Sequence, residues 1–101
     1  MNGLRGFQKR YLRGLGNQLD PVIMIGRSGL TPGVINAIDE ALANHELIKL
    51  RFLEYKDAKK EISGEIEDAV HAEMVGMVGH TALFYRQHDD LDRRTIELPQ
   101  R

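Results

Sequence analysis

Residues 21–32 constrain this chain more than any other stretch. Pro21 opens the apolar run Val22-Ile23-Met24-Ile25, which is too short for a helix and predicts a strand buried on both faces. Gly26-Arg27-Ser28-Gly29 breaks it at once. Thr31-Pro32 then supplies a hydroxyl N-cap followed by proline at the first helical position, a strong helix start. A strand, a glycine-bracketed turn and a helix in that order commit the chain to a sheet with a helix laid over it.

The flanking segments extend the pattern. Leu4, Phe7, Tyr11 and Leu15 recur at helical spacing, with Arg5, Lys9 and Arg13 as a basic stripe beside them and Gly14, Gly16 and Asn17 as the stop. The helix from Thr31 buries Val34, Ile35, Ile38 and Leu42, with Asn44 expected as its left-handed terminal residue. From Glu46 to Glu54, Ile48, Leu50 and Phe52 alternate with Lys49 and Arg51, predicting a strand with one buried and one basic face. Asp57 is expected to cap a third helix with core positions Ile62, Ile66, Ala69 and Val70. Met74–Val78 and Thr81–Arg86 read as strands of a hairpin turning at Gly79-His80, and Ile96 and Leu98 as a short edge strand in a polar tail covering 87–101. The expected fold is a single layered α/β domain over 1–101, of order α-β-α-β-α-β-β, with a mixed four-stranded sheet.

The 101 residues suffice for one core and not two. No apolar run exceeds four residues, so neither a transmembrane helix nor a secretory segment is expected, and a cytoplasmic setting fits. With no cysteine, disulfides and thiolate metal sites are excluded. Net charge is only −1, yet it is segregated: +4 over residues 1–30, −3 over 31–48, +3 over 49–60 and five acids without a base over 61–75. Local fields of this kind can bind a polyanion despite overall neutrality, although charge blocks are also the ordinary solvated faces of amphipathic elements.

The stretch Gly26–Gly29 allows two readings. Glycines let the backbone approach a ligand, the following helix start favours an anion, and Arg27 and Ser28 add a charge and a donor at the tip. Alternatively, it is a tight turn that needs glycine for its dihedral angles. It is no P-loop, since Leu30-Thr31-Pro32 follows where Lys and Ser/Thr are required, and no nucleophile elbow, since position 30 is leucine. His45, His71, His80 and His88 show no metal-ligand spacing, and His88-Asp89-Asp90-Asp92 reads as a polar loop. The acids Glu61, Glu65, Glu67, Asp68 and Glu73 read as an exposed helix face. The sequence therefore predicts no catalytic set, no cofactor, no metal and no small-molecule substrate.

The basic first helix, Pro21-Val22-Ile23, Gly26-Arg27-Ser28-Gly29-Leu30-Thr31, His45-Glu46-Leu47-Ile48-Lys49, Val78-Gly79-His80-Thr81 and Leu83-Phe84-Tyr85-Arg86 together resemble the CRM domain (chloroplast RNA splicing and ribosome maturation). The match is to its stand-alone bacterial form, the YhbY-like proteins. The resemblance implies a fold similar to the C-terminal domain of translation initiation factor 3. It also implies binding to ribosomal RNA in precursors of the large subunit, as an assembly factor. The family's GxxG loop maps onto Gly26, Arg27, Ser28 and Gly29 and clamps RNA backbone as a KH loop does. Lys9, Arg10 and Arg13 are then expected to flank that loop, with the helix from Thr31 pointing N–H groups at a phosphate. Lys49, Arg51 and Arg86 either extend the path across the sheet or lie on another side. His80 stands where many relatives carry lysine, which weakens a phosphate contact at neutral pH. A monomer meets these expectations. The competing reading is a protein–protein adaptor that docks through its acidic third helix without touching RNA.

Overall fold

A computed structural model describes residues 3–100. Its elements are α1 (Gly6–Gly16), β1 (Ile23–Ile25), α2 (Pro32–His45), β2 (Leu47–Phe52), a 3-10 turn (Lys56–Ala58), α3 (Lys59–Val70), β3 (Glu73–Val78), β4 (Thr81–Tyr85) and a second 3-10 turn (Leu91–Arg93). The four strands form one mixed sheet in the order β1-β2-β4-β3. β1 runs parallel to β2 through the α2 crossover, and the remaining pairs are antiparallel. The predicted element order and mixed sheet are therefore the observed ones.

Register divides the side chains between two faces. Ile23, Leu50, Ala82 and Met77 lie in one cross-strand row, and Ile48, Phe84 and Met74 in another. These pack with Ile38, Leu42, Ile62, Ile66 and Val70 from α2 and α3 to form the main core. On the opposite face Leu47, Leu83, Tyr85 and Val75 meet Leu12 of α1, joined at the edge by Leu15, Leu19, Ile96 and Leu98. A buried apolar side chain contributes about 1.5–3 kcal/mol, so α1 and the tail are held by a second, smaller core.

Several expectations need correction. In α1 the buried residues are Leu12 and Gly16, and Tyr11 is exposed. Periodicity fixed the stripe to within one residue, but which side met the sheet was a tertiary choice. β1 is an edge strand with Met24 48% exposed, so only one of its faces is buried. The positive-φ residue after α2 is Glu46 (φ 62, ψ −39), not Asn44, which stays within the helix. Asp57 does not cap α3: it lies inside the 3-10 turn, and Ala58 takes the N-cap position without a side-chain bond. Ala69 is exposed, and the fourth residue that α3 buries is Ser63. Ile96 and Leu98 form no strand, and instead pack as an extended tail beside α1.

The start of α2 does follow the sequence. Thr31 Oγ1 accepts the Val34 N–H at 3.1 Å. Replacing Thr31 with alanine is expected to cost about 1 kcal/mol and to lower the melting temperature by roughly 5 °C. Thermal unfolding checks this, and an unchanged midpoint would mean that the cap adds nothing to Pro32.

Candidate nucleic-acid interface

The turn after β1 is closed by the Gly29 N–H donating to the Gly26 carbonyl at 3.0 Å. Gly29 sits at φ 71, where any side chain would be strained and its Cβ would stand 3.4 Å from the Tyr55 ring. Arg27 and Ser28 are exposed at the tip. The turn is pinned from outside, because the Tyr55 hydroxyl donates to the Arg27 carbonyl at 2.7 Å.

The first turn of α2 has less to offer an anion than its sequence implied. Pro32 has no N–H, Val34 donates to Thr31 Oγ1, and Ile35 donates to the Thr31 carbonyl. Gly33 is left with the first-turn N–H that has no partner among the described residues. The helix dipole still favours negative charge there.

Pairing places Ile25 opposite Phe52, Arg51 opposite Thr81 and Thr81 opposite Val78. The GxxG turn, the segment after β2 and the β3–β4 hairpin therefore share one end of the sheet. The row Met24, Arg51, Thr81 and Val78 crosses all four strands on the face that carries α1. There α1 covers Leu47, Leu83 and Tyr85, while Met24, Arg51 and Val78 stay exposed.

Arg13 lies along the border of this open region, its Nη1 donating to the Val75 carbonyl at 2.9 Å. Gly76 makes room for it, since a Cβ there would fall 2.6 Å from Arg13 Cδ. Arg13, Asn17, Lys49, Val78 and Thr81 border a groove of about 230 Å³. The fold thus joins Arg13, Lys49 and Arg51, from two separate charge blocks, on one basic face with apolar residues between them.

The hairpin end is also positive. Lys59 Nζ donates to the Gly79 carbonyl and lies 3.3 Å from His80 Nδ1. The His80 imidazole is held below its ordinary value by partial loss of hydration and then by the charges of Lys59, Lys56 and Arg51, against the opposing pull of Asp57. An incoming phosphate would reverse that shift.

Three expected residues lie elsewhere. Lys9 pairs with Glu73 at 3.2 Å, at the start of β3 and so at the end of the sheet away from the GxxG turn. Arg10 is exposed on α1, which packs over β2, β4 and β3 rather than over β1. Lys9 and Arg10 therefore do not flank the turn. Arg86 is committed to the helices: it donates to Asp39 Oδ1 at 2.6 Å, to the Asp39 carbonyl at 2.9 Å and to the Val70 carbonyl at 2.8 Å. It sits just beyond β4, at the far end.

Tyr55, Lys56 and Lys59 were missed. The lysines were visible as part of a basic block, but their closeness to the hairpin was not. A lone tyrosine after a strand carries no signal at all. The acidic run was also heterogeneous: Glu67 accepts the Met74 N–H at 2.8 Å and Glu73 the Leu4 N–H at 3.0 Å, while Glu61, Glu65 and Asp68 are exposed. His88 and Asp90 shape their own loop, with Asp90 N–H donating to His88 Nδ1 and Asp92 N–H to Asp90 Oδ1. Among the described residues no three His, Asp or Glu side chains are grouped to hold a metal ion, and no helix is long and apolar enough to cross a membrane.

Known proteins share this organisation. The family model for the CRS1 / YhbY (CRM) domain matches residues 4–86. An RNA-binding protein of Haemophilus influenzae is 36% identical over 102 residues, covering 100% of both chains. The probable RNA-binding protein YqeI of Bacillus subtilis is 31% identical, covering 95% of this chain and 99% of its own. The solution structure of Staphylococcus aureus SAV1595, described as a candidate RNA-binding protein, superposes with a TM-score of 0.81 at 39% identity. It covers 96% of this chain and 100% of that one. With a family model spanning most of its length and full-length relatives above 30% identity, the chain belongs to the CRS1/YhbY (CRM) domain family.

Proposed function

We propose that this protein is a non-enzymatic RNA-binding protein that acts in the cytoplasm on ribosomal RNA, in precursors of the large ribosomal subunit. The observation that carries the proposal is the junction of two features: the GxxG turn at one end of the sheet and the open face bearing Arg51, Lys49 and Arg13 beside it. Relatives that match over the whole chain are named as RNA-binding proteins, which supports RNA as the ligand. In this assignment the Arg27 and Ser28 tip and the Gly33 N–H grip a phosphate, and the basic face carries the strand onward. Phosphate contacts of this kind hold an RNA in place without reading its bases.

Two measurements test this. Arg27→Glu is expected to weaken binding to unrelated RNAs about equally, by roughly tenfold, because the charge it reverses faces backbone. A loss confined to one sequence would show that Arg27 reads a base edge. In lysate sedimentation, the protein should travel with particles at or below the large subunit at low salt and leave them as salt rises. Protein that stays at the top of the gradient under both conditions would remove the ribosomal assignment.

The adaptor reading keeps one supporting feature, the exposed acids Glu61, Glu65 and Asp68 on α3. Reversing Glu65 and Asp68 would abolish particle association if those acids dock on a basic protein. If the basic face carries the association, the same change leaves it intact.

A further inference from the structure

Tyr55 holds a backbone conformation that its side chain does not favour, φ 58 and ψ 35 in the left-handed region. Glycine would occupy that position without strain, so a tyrosine there stands against local preference. Its surroundings point outward from the fold. The hydroxyl donates to the Arg27 carbonyl at 2.7 Å, and the same edge of the ring faces Gly29. Nevertheless, 48% of the residue remains exposed. Phe52, Phe84 and Tyr85 are buried in the cores, Phe7 is half-buried on α1 and Tyr11 is exposed there. Tyr55 is the aromatic ring that the fold sets against the GxxG turn.

A turn that grips backbone leaves the attached base projecting, and an aromatic face within reach gives that base somewhere to stack. A duplex has no free base to offer. We infer that Tyr55 is a nucleobase-stacking residue for the nucleotide held at the GxxG turn, so that this site selects unpaired RNA over duplex RNA. The inference rests on the RNA-binding reading above and adds to it a class of RNA and the residue that selects it. The hydroxyl bond to Arg27 gives Tyr55 a second role as a positioning residue for the turn, and the two roles separate by substitution.

The test compares a short unpaired RNA of mixed sequence with the same RNA annealed to its complement, binding wild type, Tyr55→Leu and Tyr55→Phe. Tyr55→Leu should weaken unpaired RNA about tenfold and leave duplex binding nearly unchanged. Tyr55→Phe keeps the ring, so it should keep the preference and lose no more than about threefold. The chain has three tyrosines and no tryptophan, so tyrosine emission is directly visible. Unpaired RNA should quench it in wild type, and most of that quenching should be missing in Tyr55→Phe. Equal loss on both RNAs in Tyr55→Leu would reduce Tyr55 to a prop for the turn. Quenching that is the same in wild type and Tyr55→Phe would overturn the inference without any appeal to Tyr55→Leu. Wild type that binds neither RNA would take down the RNA-binding reading itself, whereas wild type that binds both RNAs alike removes only the role of Tyr55.

Discussion

Converting Arg13, Lys49 and Arg51 to glutamine together will lower affinity for RNA at moderate salt by roughly a hundredfold and flatten its salt dependence. Each cation that neutralises a phosphate releases condensed counterions, contributing about 0.7 to the slope of log K against log salt on single strands. Three such residues on one face should reduce that slope by about 2. Glutamine keeps the side chains polar and adds no carboxylate; Arg13 also gives up its bond to the Val75 carbonyl, so the melting temperature of the variant is measured beside its affinity. The control is geometric. Lys9 and Arg86 are also basic side chains, but they lie at the opposite end of the sheet, paired with Glu73 and Asp39. Lys9→Gln and Arg86→Gln should leave the slope where it was. Arg86→Gln should instead cost about 2 kcal/mol of stability, because it releases charge-assisted bonds that tie α2 to α3. Equal slopes for the triple variant and wild type would mean that RNA, if bound, does not cross the sheet.

The second large effect belongs to Glu46, which no functional argument singled out. The residue is only 1% exposed, and its carboxylate accepts the N–H groups of His88 at 2.6 Å, Thr95 at 2.8 Å and Ile96 at 3.0 Å. Burial alone would raise its pKa. The three backbone bonds and the Thr95 hydroxyl outweigh burial and hold it below the ordinary value of 4.5. A carboxyl whose folded pKa is depressed contributes stability that is fully present above its unfolded value. That contribution is lost as pH falls through the folded one. Glu46→Gln should therefore cost about 3 kcal/mol at neutral pH, a fall of roughly 15 °C in melting temperature. The gap between variant and wild type should close as the pH is lowered below 4.5. Denaturant midpoints across that range provide the check. Amide exchange at His88 should quicken first, since glutamine keeps one oxygen for the Thr95 and Ile96 N–H groups that share Oε1 and turns its NH2 toward the His88 N–H that Oε2 had accepted. A gap that persisted undiminished in acid would mean that the carboxylate charge is not what holds the tail.

The secondary structure was legible where one local signal sufficed. Thr31-Pro32 started α2 because a hydroxyl cap and a proline without an N–H both suit a helix N-terminus. The alternation from Ile48 to Phe52 gave β2 its faces because successive side chains in a strand point opposite ways. The signal failed wherever two options were locally equivalent. Tyr11 and Leu12 are neighbours on the helix, and only the position of Leu83 and Val75 beneath α1 selected Leu12. Asn44 is the residue that tolerates a left-handed backbone most easily. The chain nevertheless puts the strain on Glu46, where the carboxylate gains backbone partners from the tail.

The sequence by itself determined the element order, the GxxG turn, the basic character of one face of β2 and the family, because each is carried by residues close together in the chain. Only the tertiary structure decided which charges act together. Arg13 borders one groove with Lys49, on the face that carries Arg51, because α1 crosses the sheet where Gly76 leaves room for it. Lys9, one turn earlier, is carried to Glu73, and Arg86 is drawn between two helices. Spacing along a chain fixes the side of an element on which a charge stands. Which element it will face depends on contacts between residues far apart in sequence, and these form only when the layers close.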